Sequence, residues 1–188
     1  MSKAVMISIR PKWCEKICSG KKAIEVRKTR PKMETPFKCY IYCTVGMAGY
    51  DALWVLDAST REKYSLLAVS AYLENPKGAN KGNGKVIGEF TCEDIYEIDP
   101  TKTIGAGFAE DSCVSSRDIH EYLGGQTGYG WHISDLKIYD TPKDLSKFSR
   151  PFENCIDKVC DEFGCALCEN GGHIKRPPQS WCYVEEQK

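Results

Sequence analysis

The stretch Gly20-Lys21-Lys22-Ala23-Ile24-Glu25-Val26-Arg27 puts a helix-stopping glycine, a lysine and two strand residues of opposite charge in one short run. From Ala23 to Lys28 the residues alternate, which predicts a strand with Ile24 and Val26 on one face and Ala23, Glu25 and Arg27 on the other. Upstream, Arg10-Pro11-Lys12-Trp13 starts a helix with proline early, where its missing N–H costs little. Trp13 and Ile17 form the apolar stripe of that helix and Gly20 ends it. A short strand, Val5 to Ile9, precedes it. Downstream, Pro31 and Pro36 bracket a loop, and Phe37 to Thr44 (FKCYIYCT) reads as an aromatic, β-branched strand. By periodicity alone, Glu25 and Arg27 read as a solvated strand face or as members of a cross-strand ion pair.

Residues 45 to 84 differ in character. Asp57 to Leu73 reads as a helix and Asn75 to Gly84 as a loop, together an insertion within one domain spanning 1–188. Lys85 to Ile98 resumes an extended pattern. Ser116 is placed to cap a short helix through Leu123, stopped by Gly124-Gly125. Tyr129 to Tyr139 (YGWHISDLKIY) reads as a strand or strand pair, and Pro142 to Leu145 as a short helical turn. In Arg176-Pro177-Pro178-Gln179-Ser180 two prolines pre-set an extended backbone that leads into a last strand, Trp181 to Glu185. There is no internal repeat. About five or six strands with short flanking helices and no βαβ rhythm favour a β-rich α+β fold, a small mixed barrel.

The 188 residues are 41% hydrophobic, enough to bury a core, and the 26 basic and 26 acidic side chains cancel. Any nucleic-acid site must therefore be local. The Val5–Ile9 run is too short for a signal-peptide core or a membrane span and Arg10 closes it, so a cytoplasmic protein without a membrane partner is expected. Eleven cysteines without an export signal predict reduced thiols. Cys39 and Cys43 flank Ile41 on one strand face and read as small buried hydrophobes, as do Cys14 and Cys18 at helical spacing. Cys155, Cys160, Cys165 and Cys168, in a loop at about 152–175, read either as ligands of a structural zinc or as a thiol-bearing loop. His173 is a substitute ligand for Cys155. Four thiolates leave no open position, so no metal or other cofactor is expected to take part in function.

Gly20-x-Lys22-x-x-Glu25-x-Arg27 resembles the G-x-K-x-x-E-x-R signature of the ASCH family, domains of the PUA-like β-barrel superfamily. The ending Arg176 to Glu185 is similar to phage- and prophage-type ASCH proteins of gut bacteria. The resemblance covers residues 4 to 44, 85 to 98, 129 to 148 and the last strand. It implies a barrel with a cleft at one end, lined by Lys22, Glu25 and Arg27, that binds RNA or a modified nucleoside or nucleotide. The residue chemistry agrees. Arg27 can pair bidentately with phosphate or stack on a base, Lys22 is a point charge, and Glu25 can accept from a base amino group. Trp13, Tyr42 and Trp131 are the candidate stacking residues, with Tyr40 and Trp181 behind them.

One branch of the same family comprises small amidohydrolases that remove acyl groups from N4-acylated cytidine nucleosides, which gives the alternative reading. Their catalytic lysine carries over as Lys22. Their hydroxyl residue does not, because Glu25 stands in its place, and Glu110 and Asp111 lie only near the position of their acid. Glu25 would then act as general base toward water, with Lys22 or Arg27 stabilising the oxyanion. The missing hydroxyl favours binding over hydrolysis. His132 and His120 read as structural or exposed residues.

Overall fold

The first strand, β1 (Lys3–Ile9), feeds both layers of the core. Val5, Ile7 and Ile9 enter one hydrophobic cluster, while Ala4 and Met6 enter a second, as the two-residue period of a strand requires. The computed structural model describes residues 2–46, 52–70, 76–151 and 172–187. After β1 comes α1 (Pro11–Cys18), with proline in its first turn and Cys14, Ile17 and Cys18 buried. Gly20 lies just beyond, in the left-handed region at φ 72°. β2 (Ile24–Arg27) follows, then β3 (Phe37–Cys43), parallel to β1. Cys39, Ile41 and Cys43 join the first cluster and Tyr40 and Tyr42 the second, so these cysteines do pack as apolar side chains. Burial pushes the Cys39 thiol well above its ordinary value.

The 45–84 stretch corrects the expectation of one long helix and a loop. After β4 (Leu53–Leu56), the helix is confined to α2 (Ala58–Tyr64), and Ser65 ends it in a left-handed conformation. β5 (Ala68–Ser70) and β6 (Ala79–Lys81) then pair with β4 from either side, in the order β5-β4-β6. The cause is tertiary. Leu53, Val55 and Ala68 bury in the first cluster, where β4 and β5 pack against α1, and that burial and strand pairing outweigh the good helix propensity of Leu66, Leu67 and Ala68. Arg61 fastens α2 to the main sheet, donating to the carbonyls of Ile138 and Tyr139 at 3.0 and 2.8 Å and pairing with Asp140 at 2.8 Å.

β7 (Lys85–Ile98) has the expected bounds. Two helices follow. α3 (Ala106–Ser112) was not expected, and α4 (Ser116–Leu123) is capped by Ser115 rather than Ser116, with Ser115 Oγ accepting from the Asp118 N–H at 3.1 Å. β8 (Gly128–Lys143) outruns the expected strand at both ends, so the helical turn expected at Pro142 to Leu145 falls later, as a 3-10 turn at Leu145–Lys147. β9 (Trp181–Glu185) lies antiparallel to β1.

The main sheet runs β2-β8-β7-β3-β1-β9. The β-rich α+β class holds, but the sheet is open: β2 and β9 are its edges, and no backbone pairing joins them among the described residues. Side chains span the gap instead. Arg27 of β2 donates to the Ser8 carbonyl of β1 at 2.6 Å and to Ser180 Oγ at 3.3 Å, and Trp181 Nε1 donates to Thr29 Oγ1 at 3.0 Å.

Candidate functional site

Lys22 sits in the turn between α1 and β2, where its N–H bonds the Lys16 carbonyl at 3.0 Å and the next N–H, of Ala23, bonds the Asp111 carbonyl at 2.8 Å. The turn thus aims the lysine toward the two charged residues of β2. Glu25 receives it: Lys22 Nζ is 3.3 Å from Glu25 Oε2, and Arg27 Nη2 is 3.0 Å from Oε1. Lys22 Nζ also donates to the Ser112 carbonyl at 2.6 Å. Lys22, Glu25 and Arg27 are only 3%, 6% and 8% exposed. Where periodicity suggests a solvated face or a cross-strand ion pair, the structure has a buried triad, two cations sharing one carboxylate. One positive charge is left over, and Arg27 Nε is buried without a hydrogen-bond partner among the described residues.

The triad lines a cleft of about 670 Å³. α1 contributes Trp13, α4 contributes Asp118, Ile119 and Tyr122, and the segment before β9 contributes Gln179. Trp13 is partly buried, with Lys22 Nζ at 5.1 Å and Lys12 Nζ at 4.5 Å from its ring centroid. Tyr122 is 46% exposed, and Lys28 Nζ stands 5.1 Å from its ring. Two accessible aromatic surfaces and a charged triad thus meet in one concavity.

The other expected stacking residues lie elsewhere. Tyr42 is buried in the second core cluster, and Trp131 is buried in the first, edge-on to Phe37 at 5.9 Å; neither lines the cleft. Tyr40 is also core, and Trp181 packs on Trp131 at 6.0 Å. For Tyr40, Tyr42 and Trp131 the physical reason is burial, so their large rings fill core volume, whereas Trp181, on the edge strand β9, is partly buried against Trp131 and Tyr183. Tyr122 had a readable signal, because Asp118 and Tyr122 share one face of a helix at i and i+4. His132 packs near Tyr96 at 6.4 Å, and neither it nor His120 lines the cleft. Glu110 and Asp111 lie on α3, and neither lines the cleft; Asp111 positions Ala23 through its backbone carbonyl.

Cys155, Cys160, Cys165 and Cys168 lie outside the described residues. His173 is described, with Nδ1 at 3.3 Å from Ser149 Oγ. Among the described residues no group of three or more His, Cys, Asp or Glu side chains is placed to hold a metal ion. Among them, too, no helix is long and apolar enough to cross a membrane.

No protein-family model matches the chain. No curated protein matches it either. Among solved structures it is similar to the ASCH protein of Zymomonas mobilis, at 18% identity and a TM-score of 0.57 over 97% of this chain and 88% of that one. A tyrosine-to-phenylalanine variant of that protein matches at 18% identity and TM-score 0.57, over 98% of this chain and 92% of the variant. A serine-to-alanine variant matches at 17% identity and TM-score 0.57, over 97% and 89%. The structural neighbours are thus ASCH domain proteins, and at this identity the likeness is one of fold.

Proposed function

We propose that the cleft binds the base of a modified nucleoside or of a short single-stranded RNA, with Lys22, Glu25 and Arg27 as its polar contacts and Trp13 and Tyr122 as its aromatic ones. The observation that carries this reading is the buried triad with its surplus positive charge, opening into a cleft of about 670 Å³. A buried charge without a full counter-charge is costly, and a ligand offering a carbonyl or phosphate oxygen would relieve that cost. The volume suits a small ligand, and a base brings the flat π-face that Trp13 and Tyr122 can contact. The ASCH-like fold supports the same direction at the level of fold alone. Among the described residues the Lys22 ammonium is engaged by Glu25 and the Ser112 carbonyl and makes no hydrogen bond to a side-chain hydroxyl, which supports binding over hydrolysis.

The test is a panel of adenosine, cytidine, guanosine, uridine, N4-acetylcytidine and short single-stranded RNAs, read by thermal shift for binding and by chromatography for product. Wild type is compared with Lys22→Met, which keeps the length of the stem and leaves Glu25 paired with Arg27. The expected result is stabilisation of wild type by at least one ligand, lost in Lys22→Met, with no product. Cytidine released from N4-acetylcytidine would replace the binding reading with hydrolysis. Silence of the folded wild type toward the whole panel would sink both.

A further inference from the structure

Gln179 lies in the segment that leads into β9, and its backbone is held on both sides. Pro178 before it accepts from Ser8 Oγ at 2.6 Å. Ser180 after it accepts through its carbonyl from the Ser8 N–H at 2.9 Å and through its hydroxyl from Arg27 Nη1 at 3.3 Å. Two prolines immediately upstream narrow the conformations of this stretch further. Only the side chain of Gln179 is left without an assignment: it is exposed, it lines the cleft, and no hydrogen bond engages its carboxamide among the described residues.

Several other polar groups of the cleft are committed. Both Glu25 oxygens are taken by cations, Ser8 Oγ holds Pro178, and Asp118 Oδ2 accepts from Ser115 Oγ at 2.7 Å. Among the described residues Gln179 is the single amide that lines the cleft, offering a donor and an acceptor in one plane. Every nucleobase presents a donor beside an acceptor along its pairing edge, which a carboxamide can meet with two hydrogen bonds. The ordering cost of the contact is confined to the Gln179 side chain, because the backbone that carries the amide is already fixed.

Building on the nucleobase reading of the cleft, we infer that Gln179 is its specificity-determining residue: it reads the hydrogen-bonding edge of the base whose charged and aromatic contacts come from the triad and from Trp13 and Tyr122. Two substitutions separate reading from mere wall-filling. Gln179→Leu keeps roughly the same bulk and removes donor and acceptor together. Gln179→Glu keeps the shape and offers acceptors only, which suits an edge carrying two adjacent donors, as guanine's does.

The experiment titrates wild type, both Gln179 variants and Lys22→Met with adenosine, cytidine, guanosine, uridine and N4-acetylcytidine by calorimetry, with melting curves as a folding control. For the base that wild type prefers, Gln179→Leu is expected to weaken binding roughly ten- to hundredfold, and Gln179→Glu to move the ranking toward guanosine. Unchanged affinities and ranking in both variants, with binding still lost in Lys22→Met, would overturn the role of Gln179 and leave the cleft reading standing. A folded wild type that binds none of the five would overturn the cleft reading and, with it, this one.

Discussion

Glu25 is shared by two cations, which makes the three side chains unequal. Removing the carboxylate leaves Lys22 and Arg27 buried side by side with nothing between them but repulsion. Removing the lysine leaves a matched Glu25–Arg27 pair. Glu25→Gln is therefore expected to cost about 3–5 kcal/mol, the range for orphaning a buried charge, and Lys22→Met clearly less. Urea denaturation of the two variants beside wild type checks the order, and equal costs would mean that the surplus charge is not felt. Arg27 differs again, because its guanidinium also reaches Ser8 and Ser180 across the open side of the sheet. Its place in the lining of a cleft was legible, but its work as a tie between sheet edges was not. That role depends on Ser180, 153 positions away, which no local pattern reveals.

Elements show where local signals sufficed. Alternation in Ile24–Arg27 and the proline-to-glycine frame of α1 are strong short-range patterns, and the chain obeys them. Lys85–Ile98 keeps its bounds but not its expected faces: a bulge between Val86 and Gly88 puts Ile87, not Val86, in the first cluster with Phe90 and Cys92, and Val86 in the second. α3 carries no such pattern: its N-cap is Gly105, no side chain caps it, and Gly107 lies inside it. The stretch after Ser65 went to β5 because β4 was there to pair with, a fact absent from residues 57–73 themselves. Two element-level outcomes follow. Ser115→Ala removes the cap of α4, the helix that brings Tyr122 to the cleft, and should cost about 1 kcal/mol; thermal unfolding measures it, and an unchanged midpoint would show that Ser115 does not hold the helix start. In β7, a Cβ on Gly88 would meet the Lys137 carbonyl oxygen and stand 3.0 Å from Ile138 Cα, where β8 crosses closely. Because the obstacle is backbone, Gly88→Ala is expected to lose about 1–3 kcal/mol or more, whereas Gly107→Ala, in open space on α3, should be neutral or stabilising.

At the scale of the whole molecule, the ends of the chain meet, and charge decides how. Ser2 Oγ donates to Glu186 Oε2 at 2.6 Å, and Lys38 Nζ lies 3.1 Å from the same carboxylate. The hydrogen bonds from Ser2 and Lys38 hold the Glu186 carboxyl below its ordinary value. A depressed carboxyl contributes stability above its unfolded value and loses it as the pH falls through the folded one. Glu186→Gln should thus narrow the gap to wild type as the solution is acidified below about pH 4, the unfolded glutamate range, and a gap that widened would reverse the assignment. The overall balance of 26 basic and 26 acidic residues makes a second demand. A chain without net charge has no broad field to attract a polyanion, so any RNA binding would rest on the few cations at the cleft. Of these, Lys22 and Arg27 already share Glu25, and Arg10 is the further cation lining the cavity. Each phosphate neutralised on a single strand contributes about −0.7 to the slope of log affinity against log salt. For one to three phosphates, fluorescence anisotropy of a labelled short RNA between about 50 and 200 mM salt should give a slope between about −0.7 and −2. A slope of about −4 or steeper would require a footprint reaching well beyond the cleft, over lysines such as Lys12, Lys16 and Lys28 that surround its aromatic residues.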